Sequence, residues 1–304
     1  MNSKPTEKKG RGKAEKTLIL IEAARRILKE IQPTSVRSVC YQLFIKKLIP
    51  NMGKSATGGV SKHLVWAREN NIIPWDWIVD ETREAERIST WDNPEQIILA
   101  SVNQYRKDYW SMQPRRVEVW SEKGTVRGTV APVLEEHGVT FRVMHGYGSA
   151  TSIYDTAQET LDSKPLTILY IGDWDCSGLH MSEIDLPRRL ERYGGEATIE
   201  RIALTADDVA PGTALPSFDA EEKVNDTRYR WFAENYGARC WEVDALSPVI
   251  LRQRLEQRIT DLLDIDAWNH AVEIEKVETQ SMQDFMAKFK SILSPAAKYS
   301  GRGD

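Results

Sequence analysis

Cysteine is scarce. The 304-residue chain holds only Cys40, Cys176 and Cys240, with no C-x-x-C pair among them. That excludes a disulfide framework and a zinc ribbon, and it points to a reducing, cytosolic setting. Long apolar runs are missing too: no stretch reaches the roughly 18 residues of a membrane span, and the charged start is not followed by an apolar signal region. No membrane partner is therefore expected. There is no internal repeat. An overall excess of positive charge is also lacking, because the net charge is −4; any binding to nucleic acid falls to local patches.

One such patch is present at the start. Residues 1–16 carry Lys4, Lys8, Lys9, Arg11, Lys13 and Lys16 against Glu7 and Glu15, a composition expected to be a disordered basic arm, either a solubilising tail or a phosphate-binding one. The rest, with 41% hydrophobic and 28% charged residues overall, is ordinary for a globular chain long enough for about two domains.

Residues 17–95 open with apolar side chains at helical spacing in "EKTLILIEAARRILKEI". A second helix follows in "PTSVRSVCYQLFIKKLI", with Thr34 or Ser35 as its cap, and a third in "VSKHLVWAREN". "NIIPWDWIVD" reads as a short extended segment interrupted by Pro74. Three short helices and a β-wing outline a winged helix, a helix-turn-helix variant whose last helix commonly lies in a DNA groove. Lys54, Lys62, His63 and Arg68 would meet phosphates; the alternative is a small helical packing domain.

From residue 112 to 240 strands alternate with helices. "RVEVW", "VTFRVM", "LTILYI" and "ATIERIAL" read as strands with helices between them, which predicts an α/β fold with a parallel sheet wrapped by helices. Such sheets bind ligands beyond the carboxyl ends of their strands. Two predicted strands end in acid there: "RVEVWSE" delivers Glu122, and "LTILYIGDWD" delivers Asp173 and Asp175. Three converging carboxylates repel one another unless a proton or a cation intervenes. Oxygen-only ligation favours Mg²⁺, or Mn²⁺, over Zn²⁺. Residues 241–304 form a third block, a C-terminal helical extension and tail, with Ser247 and Pro248 starting a helix of about four turns.

A phosphate-loop lookalike, "LIPNMGKS", is dismissed because Leu48 stands where the first Gly is needed and no buried strand precedes it. No ATPase site is found. "TRYRWFAENYGARCW" mixes aromatics with Arg and reads as an amphipathic helix covering the sheet in preference to a single-strand stacking surface.

The pairing of Glu122 in "VEVWSEKG" with Asp173 and Asp175 in "GDWDCSG" resembles the Toprim domain, the magnesium-binding fold of topoisomerases, primases and some nucleases. With the N-terminal helices it resembles more closely the A subunit of topoisomerase VI and its meiotic double-strand-break relatives. There a winged helix carries a DNA-cleaving Tyr four residues after an Arg. Arg37 and Tyr41 show that spacing and share one helix face; "HGYGSATS", residues 145–152, lies where the family has a Gly-rich loop. Cys40 stands where the family often has a first Tyr, and "DCSG" replaces its D-P-x-G.

The resemblance implies a compact, free-standing A-like subunit that cleaves double-stranded DNA with Mg²⁺. Tyr41 would form a 5′-phosphotyrosyl link, Arg37 would stabilise the developing charge, and Lys123 would contact a phosphate. It further implies a homodimer in which the Tyr41 of one subunit meets the cation of the other, a separate ATPase subunit of the B type, and a cytoplasmic, nucleoid-associated protein. Two rivals stand beside it. One is a Toprim nuclease that uses metal-activated water, with Tyr41 structural; the other is a non-catalytic DNA-binding scaffold.

Overall fold

The computed structural model describes residues 14–79, 89–144, 149–161 and 163–296. Its central feature is a four-stranded sheet of β1 (Arg116–Ser121), β2 (Thr140–Val143), β3 (Leu166–Ile171) and β4 (Ala197–Ala203), all parallel, in the order β2-β1-β3-β4. The connections run through α5 (Thr125–His137), α6 (Ala150–Leu161), and the pair α7 (Cys176–His180) and α8 (Leu186–Arg192), joined by a π-helical turn.

Alternation along the strands explains why both faces are covered. Val117, Val119, Leu169 and Ile171 point to one side, where α5 meets them with Val126, Val130 and Val133. Trp120, Ile168 and Tyr170 point to the other, against Ile153 and Ala157 of α6 and Leu186 and Leu190 of α8. Every residue of β3 is buried, the signature of a central parallel strand. This two-faced α/β arrangement is Rossmann-like, as the strand and helix alternation predicts.

The block after residue 240 completes that core. α10 (Pro248–Leu262) lays Leu251, Leu255 and Ile259 onto the α5 side of the sheet, and each fully buried side chain of this size contributes about 1.5–3 kcal/mol. α9 (Tyr229–Tyr236) buries Phe232 in the same cluster, in keeping with a packing role. The long α11 (Ile265–Ala296) runs beside α4 (Pro94–Gln104), and its Trp268 meets Tyr109 edge to face, 4.6 Å between ring centres.

Three helices precede the sheet: α1 (Glu15–Ile31), α2 (Val36–Ile45) and α3 (Lys54–Glu69). They pack around a separate apolar cluster that includes Leu28, Val39, Leu43, Leu64 and Ile73. Ser35 caps α2 by accepting the Ser38 N–H at 3.1 Å. Arg252 of α10 ties this unit to the sheet by donating to the carbonyls of Ile31, Pro33 and Thr129.

Two expectations need adjustment. Residues 1–13 of the basic arm and the tail from 297 lie outside the described residues, but α1 already begins at Glu15, so Lys16 belongs to a helix and not to the arm. The expected wing is not seen as a strand hairpin among the described residues. Trp75–Trp77 forms a 3-10 turn after Pro74, and the chain then makes one parallel bridge, Thr34 to Ile78. Pro74 lacks the N–H that a ladder requires; residues 80–88 lie outside the described residues.

Candidate functional site at the carboxyl edge of the sheet

β1 and β3 are parallel neighbours, with Ser121 opposite Ile171. Their next residues therefore leave the sheet side by side, and Glu122 meets the 172–175 loop. Asp175 turns the chain into α7 as its cap, its Oδ1 accepting the Ser177 N–H at 3.0 Å and the Gly178 N–H at 2.8 Å. The close approach makes Gly178 a requirement, since a Cβ there would stand 2.4 Å from the Asp173 carbonyl oxygen.

Arg201 of β4 secures the loop from behind. Its guanidinium donates to the carbonyls of Gly172, Asp173 and Gly178, and to Ala203 and Leu204 beside them. A buried cation on carbonyl oxygens satisfies the loop's backbone and lends positive charge beneath its carboxylates.

A second acidic segment closes the site from across the loop. Trp174 and Trp241 exchange backbone hydrogen bonds at 2.9 and 3.0 Å, which brings Glu242 and Asp244 alongside. Asp173 accepts the Val243 N–H at 2.8 Å. Lys123 sits among these acids, its Nζ 2.8 Å from Asp173, 3.4 Å from Asp244 and 3.6 Å from Glu242. Lys223 pairs with Asp175, and Arg37 with Glu242 and Asp244. Five carboxylates thus meet these three cations and Arg201 behind the loop, which still leaves an excess of negative charge.

That excess shows in the titration of the group with least compensation. Burial pushes the Glu122 carboxyl up, and Asp173 and Asp175 push it further. Its Oε2 is buried without a hydrogen-bond partner. Asp173 is likewise raised, chiefly by burial, against the pull of Lys123. Burial also works to raise Asp175, yet Lys223 and the capping N–H groups win and hold it low. Lys123 keeps its proton: burial works against the charge, but Asp173, Asp244 and Glu242 outweigh it.

Among the described residues no group of three or more His, Cys, Asp or Glu side chains is arranged as a metal cage; Lys123 and Lys223 hold two of the three expected ligands. The chemistry of the donor set nevertheless suits Mg²⁺ or Mn²⁺, because the orphaned Glu122 oxygen and the surplus of carboxylates are what a hard divalent cation would satisfy.

Tyr41 stands at the same place. It is only 6% exposed but lies outside the apolar cluster of α1–α3, whereas its neighbour Cys40 points into that cluster. Its ring lies beneath Arg37, 5.6 Å from the guanidinium carbon. Burial and the neighbouring Glu242 carboxylate raise the Tyr41 pKa against Arg37. Tyr41, Arg37 and Glu242 line a cleft of about 670 Å³ together with Ser217, Phe218, Glu222 and Lys223. The nucleophile candidate and the acidic cluster are thus linked within one chain through Glu242 and Lys123.

Lys54, Lys62, His63 and Arg68 all lie on α3. Lys54 and Lys62 are exposed, Arg68 stacks over Trp75 at 4.8 Å, and none of the four lines the cleft. Within the expected Gly-rich loop, residues 145–148 lie outside the described residues, and Ser149 starts α6 by accepting the Ser152 N–H. Sequence reasoning missed Lys223, Glu242, Asp244 and Arg201. The acidic pair in "WEVDALSP" was the available signal, but no periodicity tied it to the 172–175 loop.

Comparison with family models, curated proteins and solved structures finds no match to the chain. Its class rests on its own architecture, a Rossmann-like α/β domain with an acidic site at the carboxyl ends of neighbouring parallel strands.

Proposed function

We propose that the chain is a metal-dependent DNA-cleaving enzyme resembling the A subunit of topoisomerase VI. The observation that carries this reading is the chain of contacts from a cleft lined by Tyr41, Arg37, Glu242 and Lys223 to the acidic cluster: Glu242 lies 3.6 Å from Lys123, which pairs with Asp173, and Lys223 pairs with Asp175. The helices α1–α3 act as the winged-helix unit, with Lys54 and Lys62 on double-stranded DNA. Glu122, Asp173 and Asp175 hold Mg²⁺ or Mn²⁺, which would supply positive charge to the scissile phosphate.

Tyr41 attacks the DNA backbone and becomes linked to the 5′ phosphate, while Arg37 neutralises charge on the phosphoryl group. A homodimer would cut both strands, and strand passage would need a separate ATPase subunit. No helix among the described residues is long and apolar enough to cross a membrane.

The test incubates supercoiled plasmid with wild type and Tyr41→Phe in Mg²⁺ or Mn²⁺, stops with SDS, and compares gels with and without protease. Broken DNA that enters the gel only after protease, from wild type alone, is the expected result. Equal cutting with free ends by both proteins instead supports the nuclease reading. DNA binding without any cutting by either protein supports the scaffold.

A further inference from the structure

Two carboxylates to which no motif assigns a role line the cleft, Glu242 and the exposed Glu222. Glu242 lines the cleft with Tyr41, takes Arg37 Nε at 2.8 Å while the same guanidinium lies over the Tyr41 ring, and lies 3.6 Å from Lys123 Nζ. The other acids are placed differently. Asp244 is engaged by Arg37, Lys123 and the Ser38 hydroxyl, and Asp173 and Asp175 by Lys123 and Lys223.

Resting on the reading of Tyr41 as nucleophile, we propose that Glu242 is the base that receives the Tyr41 proton, and that Arg37 gates it until a phosphate arrives. A carboxylate gripped by a guanidinium is a weak proton acceptor, because its ionised form is the one being stabilised. A phosphate diester entering the cleft competes for the same guanidinium fork. Once Arg37 turns to the phosphate, Glu242 remains beside the phenol and gains proton affinity. The groups facing Glu242 in this exchange are Arg37 and Tyr41 from α2 and Lys123 from the end of β1.

The step balances. The proton passes from Tyr41 Oη to Glu242 as the Oη–P bond forms; the P–O3′ bond breaks, and the 3′ oxygen takes a proton from water. Arg37 then faces the charge on the phosphoryl oxygens. Binding and activation are thereby coupled, since the phenol is held protonated until the substrate draws off the arginine.

The experiment compares wild type, Glu242→Gln and Glu242→Asp for SDS-trapped adduct on plasmid and for binding to a labelled duplex by fluorescence anisotropy. Glu242→Gln is expected to lose adduct formation by about 100-fold or more, with duplex affinity equal to or tighter than wild type, and Glu242→Asp to form more adduct than Gln. In protein labelled with ¹³Cζ-tyrosine, the Tyr41 resonance, assigned by its loss in Tyr41→Phe, is expected to move in Glu242→Gln. Adduct from Glu242→Gln at or above the wild-type rate, an Asp variant no better than Gln, or an unmoved Tyr41 resonance overturns the assignment. Absence of adduct from wild type in either metal fails the cleavage reading itself; a fully active Glu242→Gln fails only the base.

Discussion

Lys123 Nζ lies 2.8 Å from Asp173 Oδ2, so the residue that follows one candidate metal ligand neutralises another. An ammonium and a divalent cation compete for the same carboxylate. Lys123→Met removes the ammonium from a buried acid and is expected to cost about 3 kcal/mol of stability. Mg²⁺ should then raise the melting temperature of Lys123→Met by more than that of wild type, since a ligand bound only by the folded state stabilises it. Equal shifts in the two melts would sink the competition.

Gly178 tests the loop geometry. A methyl group there meets the Asp173 carbonyl, which is backbone and is itself held by Arg201. Gly178→Ala is expected to lose about 2–3 kcal/mol, the upper range for overpacking, in a denaturant titration. A loss under about 0.5 kcal/mol, the level of an ordinary surface change, would show that the loop relaxes freely.

The sheet was the most legible part of the sequence, and the reason is visible in β3. Six consecutive apolar or β-branched residues are what a strand covered on both faces demands. The convergence of Glu122 with Asp173 followed from the same alternation, since parallel neighbours end at one edge. The clamp on the far side was not legible, because the Trp174 to Trp241 bridge joins irregular segments that lack periodicity. The pairing of Lys123 was hidden for a related reason: two of its partners, Glu242 and Asp244, arrive from about 120 residues further along the chain. The wing is not seen as a strand hairpin among the described residues, where Pro74 and a single bridge set the local outcome.

Acid sensitivity should be concentrated at Glu118. This buried carboxylate on β1 accepts from Arg142 at 2.6 Å, Trp120 at 2.8 Å and Arg116 at 2.9 Å. Burial alone would raise its pKa, but Arg142, Trp120 and Arg116 together hold it below the usual range. A depressed folded pKa means that the contribution is complete above the unfolded value of about 4.3 and is lost as pH falls through the folded one. Glu118→Gln is therefore expected to be less stable than wild type by a constant amount at neutral pH, with the gap closing below about pH 4. Unfolding titrations from pH 7 to 3 would reveal a gap that stays constant if this is wrong.

DNA contact through α3 is tested by salt. Each lysine that neutralises a phosphate contributes about one unit to the slope of log affinity against log salt. Lys54→Ala combined with Lys62→Ala should weaken duplex binding and lower that slope by about two. An unchanged slope in anisotropy titrations would remove α3 from the interface.

The Trp174 to Trp241 bridge also sets an order in time. Arg37 is made 205 residues before its counterion Glu242, and α10, which ties the N-terminal helices to the sheet, comes later still. The helices α1–α3 and the strands up to β4 can form as the chain leaves the ribosome, with Arg37 facing solvent or any passing anion while Lys123 already has Asp173. Only a chain extended past residue 242 can draw the arginine in. The cleft is in this sense a record of synthesis past that point, and a product cut short before residue 242 would carry the nucleophile candidate with its arginine unrestrained.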